Sequence, residues 1–139
     1  MTLGERQELF TLLFARLIIF IFEQKYFVRI GEVARTEYQS QYYATHCARC
    51  KQHIDLHVNT TKHKFKPIGI LKSLHREGVA GDIKLLKMVG GVKLYLQDSK
   101  DYKIFGDWWK SQHELCRWGG DILKRPDGGH FSISQDNRI

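Results

Sequence analysis

The sequence predicts an α+β domain in which a small antiparallel sheet is flanked by helices. Three observations carry this. The chain opens on an apolar run, LFTLLFARLIIFIF, long enough for several helical turns. Further on, Val92, Leu94 and Leu96 alternate with Lys93 and Tyr95 directly after Gly90-Gly91, the pattern of the second strand of a hairpin. Beyond that hairpin, Tyr102, Phe105 and Trp109 recur at helical spacing. With 139 residues, the chain is expected to form one domain over residues 1–139.

The elements follow in order. Thr2 is placed to cap a helix over about residues 4–24, which begins with good helix formers. YFVRI, residues 26–30, is aromatic and β-branched and reads as a strand. GEVART forms the junction out of it, and TEYQSQYYA starts a second helix. Residues 45–68 follow no clear period. They hold four of the seven histidines, two cysteines and five lysines or arginines, and read as a long surface excursion of the kind that is usually functional or mobile. DIKLLKMVGGVKLYLQ reads as the hairpin. Asp98 or Ser99 caps the next helix, and the glycine-rich end leads into a short strand, HFSI.

A net charge of +7 favours an anionic partner such as nucleic acid, an acidic membrane surface or bacterial wall polymer. Cys47, Cys50 and Cys116 are an odd count with one C-x-x-C, which is no disulfide framework and suits a reducing compartment during synthesis. The apolar run Leu9 to Phe22 is short for a membrane span and contains Arg16, so it reads as a largely buried helix, with a signal-anchor as the alternative. No small-residue cleavage site follows it, so no signal peptide is expected.

The chemistry is concentrated in SLHREGVAGD. His75 and Asp82 would face opposite sides of one straight strand, and on a helix they would stand on the order of 10 Å apart. Gly78, Ala80 and Gly81 allow a tight bend that lets the imidazole at the loop entrance meet the carboxylate at the strand start. A nitrogen and a carboxylate oxygen are two ligands for zinc, and a third protein ligand with one open position makes a hydrolytic site. The candidate third ligand is His130 in PDGGHFSI. Asp127, three residues earlier, is placed to act as a proton-accepting base, or else is a turn residue beside Gly128.

Ser73-x-His75-x-x-Gly78-x-Ala80-x-Asp82, followed by Asp127-x-x-His130-Phe131, resembles the zinc D-alanyl-D-alanine carboxypeptidases and phage L-alanyl-D-glutamate endolysins, the VanX/VanY-like metallopeptidases. Glu32-Val33-Ala34-Arg35-Thr36 with Gln39 is similar to the arginine-bearing segment of that family. Cys116-Arg117-Trp118-Gly119-Gly120-Asp121 is similar to its Trp-Gly-Gly stretch. The resemblance implies a Hedgehog/DD-peptidase-like fold with one catalytic zinc ion on His75, Asp82 and His130, and Asp127 as general base. It also implies Arg35 in the substrate cleft, on the oxyanion or the substrate carbonyl, with Gln39, Ser73 and Trp118 as supporting or substrate-contact residues. Two features depart from the pattern: Gly81 stands where a larger residue is common, which suggests a looser strand entry, and the excursion at 45–68 is long. Read without the resemblance, Arg35 is equally placed to pair with Glu32 or Glu37, and Trp108, Trp109 and Trp118 suit core or cleft-wall packing better than a glycan platform.

A second donor cluster, His46-Cys47-x-x-Cys50-x-x-His53-x-x-x-His57, offers Cys47, Cys50, His53 and His57 for a second, structural zinc ion. The alternative is a loop with reduced thiols. HIDLH lacks the glutamate of the H-E-x-x-H metalloprotease motif.

The function expected is a zinc-dependent peptidoglycan peptidase cutting a stem-peptide amide bond, L-Ala–D-Glu first and the D-alanyl-D-alanine bond second. A non-catalytic, zinc-stabilised basic module for nucleic acid or wall polymer is the rival. The expected partner is the stem peptide, with no stable nucleic-acid partner, no transmembrane span and a monomeric state. The phage resemblance implies synthesis in the host cytoplasm and action on the wall after a separate protein permeabilises the membrane.

Overall fold

Two reciprocal hydrogen bonds start the first helix. In the computed structural model, which describes residues 1–60, 62–70 and 72–138, the Thr2 hydroxyl accepts the Glu5 N–H at 3.2 Å. The Glu5 carboxylate accepts the Thr2 N–H at 2.6 Å. Each bond satisfies a donor that the first turn leaves without a partner. Helix α1 (Leu3–Glu23) then buries Phe10, Leu13, Phe14, Leu17 and Ile21 along one stripe. Leu12, Ile19 and Phe22, on its other side, remain about half exposed. The helix is therefore two-faced where its continuous apolar composition predicted general burial. No helix among the described residues is long and apolar enough to cross a membrane.

Strand β1 (Phe27–Ile30) follows, then helix α2 (Glu37–Thr45), capped by Thr36. The organising element is strand β2 (Ala80–Val89). Its middle pairs with β1, Ile30 opposite Ile83. Its end turns through Gly90 and Gly91, both at positive φ, into strand β3 (Val92–Leu96). Its start pairs with strand β5 (His130–Ile133), and strand β4 (Cys116–Trp118) lies outside β5. All pairings are antiparallel, in the order β1-β2-β5-β4 with β3 also on β2. The α+β expectation with a small antiparallel sheet holds. β4 had no separate signal in the sequence, because three residues are too short to display a two-residue period.

Between β3 and β4, a 3-10 turn over Ser99–Tyr102 leads into helix α3 (Lys103–Gln112). Asp98 stands at the cap position but makes no side-chain bond there, and Ser99 instead accepts the Gly128 N–H at 2.9 Å. The hydrophobic core lies where α1 and α3 cover the sheet. Tyr102, Phe105 and Trp109 are all buried in it. The Trp109 ring meets Phe10 and Phe131 edge-on at centroid distances of 6.1 and 5.8 Å.

Two glycines mark very close approaches. A Cβ at Gly81 would stand 2.8 Å from Phe14 of α1, so this strand entry is tight, contrary to the looser one predicted. A Cβ at Gly106 would stand 2.2 Å from the Trp118 ring. Helix propensity favours Ala over Gly by about 1 kcal/mol, but the clash outweighs it because the indole is buried and cannot retreat. Gly106→Ala is therefore expected to destabilise the fold by about 2 kcal/mol, measured as a lower midpoint of denaturant unfolding. A midpoint raised by the substitution would show that α3 is not packed against Trp118 this closely.

Candidate metal centre

Strand register brings two of the three predicted ligands together. Asp82 lies directly opposite His130 in the β2–β5 pair, so their side chains share a face. The Asp82 backbone is pinned from the other edge: its N–H donates to the Glu32 carbonyl at 2.7 Å, and its carbonyl accepts the Gly31 N–H at 2.7 Å. His75 arrives from a compact turn. Its N–H donates to the Ser73 hydroxyl at 3.2 Å, its carbonyl accepts from Gly78 and Arg35, and Gly78 reverses the chain at φ +71°. Only Gly78 supplies this left-handed bend. Ala80 and Gly81 are buried β2 residues and not part of the turn.

The result is a cluster of His75, Asp82 and His130 whose donor atoms lie within 4.8 Å of one another. One Asp82 oxygen is 3.3 Å from His75 Nε2 and 3.1 Å from His130 Nδ1. These separations are close to the edge of roughly 3.3 Å that a tetrahedron with metal–ligand bonds near 2.0–2.1 Å requires. The remaining ring nitrogens, His75 Nδ1 and His130 Nε2, are buried without a hydrogen-bond partner among the described residues. A zinc ion fits this donor set. Burial works against a charged Asp82, but the two imidazoles outweigh it and hold the carboxyl down at about 2. Asp82 is thus anionic across the ordinary pH range, as a metal ligand of this kind must be.

Glu32 is the residue around this centre whose role the sequence left undecided. Its carboxylate oxygen accepts Arg35 Nε at 2.8 Å and lies 3.7 Å from His75 Nδ1. At that distance it makes no hydrogen bond to the ring, and its charge acts on the His75 imidazole through space alone. Arg35 therefore pairs with Glu32, one of the alternatives in the sequence, and Arg76 takes Glu37 at 3.1 Å. The Arg35 guanidinium also lies 5.0 Å from the centre of the Tyr43 ring, while its Nη1 takes no part in the Glu32 pair.

A cleft of about 670 Å³ opens over the cluster. Arg35, Ser73, Asp127 and the three candidate ligands all line it, as do Lys72, Arg125 and Arg138. Asp127 is fixed through its backbone: its N–H donates to the Gly119 carbonyl at 2.9 Å, and its carbonyl accepts the His130 N–H at 3.2 Å. Two expected substrate contacts lie elsewhere. Gln39 is not a lining residue, and its side chain accepts the Thr36 N–H at 3.0 Å to cap α2. Trp118 is buried, and its indole N–H donates to the Gly128 carbonyl at 2.8 Å. Trp109 does the same for the Ser132 carbonyl at 3.1 Å. These two indoles bracket His130 from the core side, a placing role that the Trp-Gly-Gly resemblance alone did not reveal.

The second cluster is rearranged relative to expectation. Cys47 and Cys50 converge with His57 and His63, all donor atoms within 4.8 Å of one another. His53 is not a member. Its Nδ1 accepts the Asp55 N–H at 3.2 Å and its ring stands edge-on to His46. His63 takes its place because residues 62–66 fold back over the C-x-x-C, where Lys62 and Lys66 carbonyls accept from Arg49 and Ala48, and its Nε2 reaches Cys47 Sγ at 3.1 Å. Burial opposes ionisation of Cys47, but backbone N–H groups of Cys50, Lys66 and Arg49 and the His63 imidazole outweigh it and lower the thiol well below its ordinary range. Cys116 is the opposite case: burial in the core pushes it up to about 12, so it is inert. All three cysteines are free.

Protein-family models give no match to this chain, and neither do curated protein sequences.

Glu32→Ala is expected to weaken zinc binding by about 10-fold, the low end for a carboxylate beside a candidate ligand, read by competition against a chromogenic chelator. Unchanged affinity would mean that the Glu32 charge does not act on the His75 imidazole.

Proposed function

We propose that this chain is a zinc-dependent peptidoglycan peptidase of the D-alanyl-D-alanine carboxypeptidase and endolysin type, hydrolysing a stem-peptide amide bond, with L-Ala–D-Glu the first candidate. The observation that carries the reading is the convergence of His75, Asp82 and His130 beneath a cleft that Asp127 and Arg35 also line. Three protein donors leave a fourth position for reactants, the arrangement of a hydrolytic rather than a structural site. A zinc ion held there supplies Lewis-acid polarisation of a carbonyl and acidifies water.

The remaining chemistry belongs to the chain itself. Asp127 takes a proton from the attacking water and returns it to the departing amine, so no free ion is released. Arg35, held by Glu32, brings a guanidinium to the cleft, where its charge offsets the negative charge that develops on the carbonyl oxygen. Lys72 and Arg125 add positive charge along the lining. That lining suits stem peptides, which carry free carboxylates, and the overall +7 suits a polyanionic wall. Action would be on the wall, once the membrane has been opened.

The test is incubation with purified wall peptides, with and without a chelator, followed by mass spectrometry. Fragments cut between L-Ala and D-Glu, and lost with chelator, support the reading; release of D-alanine points to the carboxypeptidase alternative. Absence of any product would favour the non-catalytic basic module. Asp127→Ala is expected to keep its zinc and lose about 10²–10⁴-fold in turnover, whereas His75→Ala loses both. An Asp127→Ala protein that cut at the wild-type rate would remove the base assignment.

A further inference from the structure

The excursion between α2 and the His75 turn lacks an apolar reason to be ordered. Among the described residues, none between 36 and 72 belongs to the hydrophobic core or packs against it. Ile54, Leu56 and Val58 are 49%, 72% and 77% exposed. A segment of this size without a core needs a staple. It nevertheless has a defined path: Ala48 donates to the Lys66 carbonyl at 2.7 Å, Ile68 to the His46 carbonyl at 3.1 Å, and Gly69 to the Tyr43 carbonyl at 3.1 Å.

What occupies the middle of that path is a set of metal-type donors. Cys47 Sγ and His57 Nε2 both face His63 Nε2, at 3.1 and 3.4 Å. Tetrahedral zinc with bonds of about 2.3 Å to sulfur and 2.0–2.1 Å to nitrogen has edges of roughly 3.3–3.8 Å. Lys51, directly after the C-x-x-C, is left-handed at φ +63°, and its N–H returns to the Cys47 carbonyl at 2.8 Å, which closes the knuckle.

We propose that Cys47, Cys50, His57 and His63 form a second, closed zinc site that staples the 46–68 excursion into one wall of the cleft. Four protein donors fill the tetrahedron, so this ion has no position for substrate and its role is structural. The staple reaches the cleft through a short path. Cys47 bridges Pro67, and the residues just beyond, Ile68, Gly69 and Ile70, line the cleft beside Arg35. The inference stands independently of the peptidase reading, because neither cysteine belongs to the His75–Asp82–His130 centre.

The experiment separates the two sites by their sulfur. Purified under reductant, the full chain is expected to hold two zinc ions by elemental analysis. Cobalt exchanged into it is expected to give an intense near-ultraviolet thiolate-to-cobalt band, which a site of two histidines and one aspartate cannot produce. Cys50→Ser and His63→Ala each lose one ion and that band. His53→Ala keeps both, and His130→Ala loses one ion while retaining the band. The wild-type spectrum needs no variant to fold: a reduced, cobalt-loaded wild-type protein without the thiolate band would overturn the proposal, as would Cys50→Ser with undiminished metal.

Discussion

The pairing of β2 with β5 is the constraint on which the His75–Asp82–His130 cluster depends. Asp82 and His130 are separated by most of the hairpin, α3 and β4, yet one antiparallel register sets them face to face. A slip of one residue would turn one of these side chains to the opposite face and place Gly81 or Phe131 in the cluster instead. The structure defends that register from several directions. Gly129 accepts from Ile83 at the mouth of the pair, and the Gly31–Glu32 backbone grips Asp82 on the other edge. The Trp109 and Trp118 indoles hold carbonyls on either side of His130. The close passage of Phe14 over Gly81 fixes the strand from above. The core and the site are therefore one construction: the aromatic packing of α1 and α3 sets the distance between an imidazole and a carboxylate.

Both donor clusters of the chain follow the same logic with opposite outcomes. The His75–Asp82–His130 group sits on a sheet backed by the core, has three donors, and faces a cleft with further titratable and cationic groups. The Cys47–Cys50–His57–His63 group sits where the core does not reach and has four donors gathered within 4.8 Å of one another. An open coordination shell needs a rigid scaffold to keep it open, whereas a closed shell can itself be the scaffold. Their proximity along the chain is functional in this account, since the segment leaving the second cluster becomes the wall of the first.

Much of this was legible in the sequence, for identifiable reasons. The capping residue Thr2 acts locally, so its neighbour in sequence, Glu5, is its partner in space. The hairpin declared itself through alternation around Gly90-Gly91. His75, Asp82 and His130 were readable because their residue types are chemically specific and their spacing is constrained by the turn. What escaped was whatever depended on long-range approach. β4 is too short to show a period, and Trp118 offered no sign that its indole N–H would serve Gly128 from beneath. His63 was passed over for His53 because linear spacing favours the nearer histidine, while the fold-back of residues 62–66 brings the farther one to the sulfur. Glu32 looked like a partner for Arg35 alone, and only the geometry sets it within 3.7 Å of His75 as well.

The central claim is that three side chains from a turn and two strands hold one divalent ion with a coordination position left open to the cleft. Anomalous diffraction at the zinc absorption edge, from crystals of the zinc-loaded protein, tests it most directly. The account predicts a peak within bonding distance of His75, Asp82 and His130 and of no other protein donor, with the free side toward Asp127. A zinc-loaded crystal with no peak there, or with a fourth side chain closing that side, would contradict it.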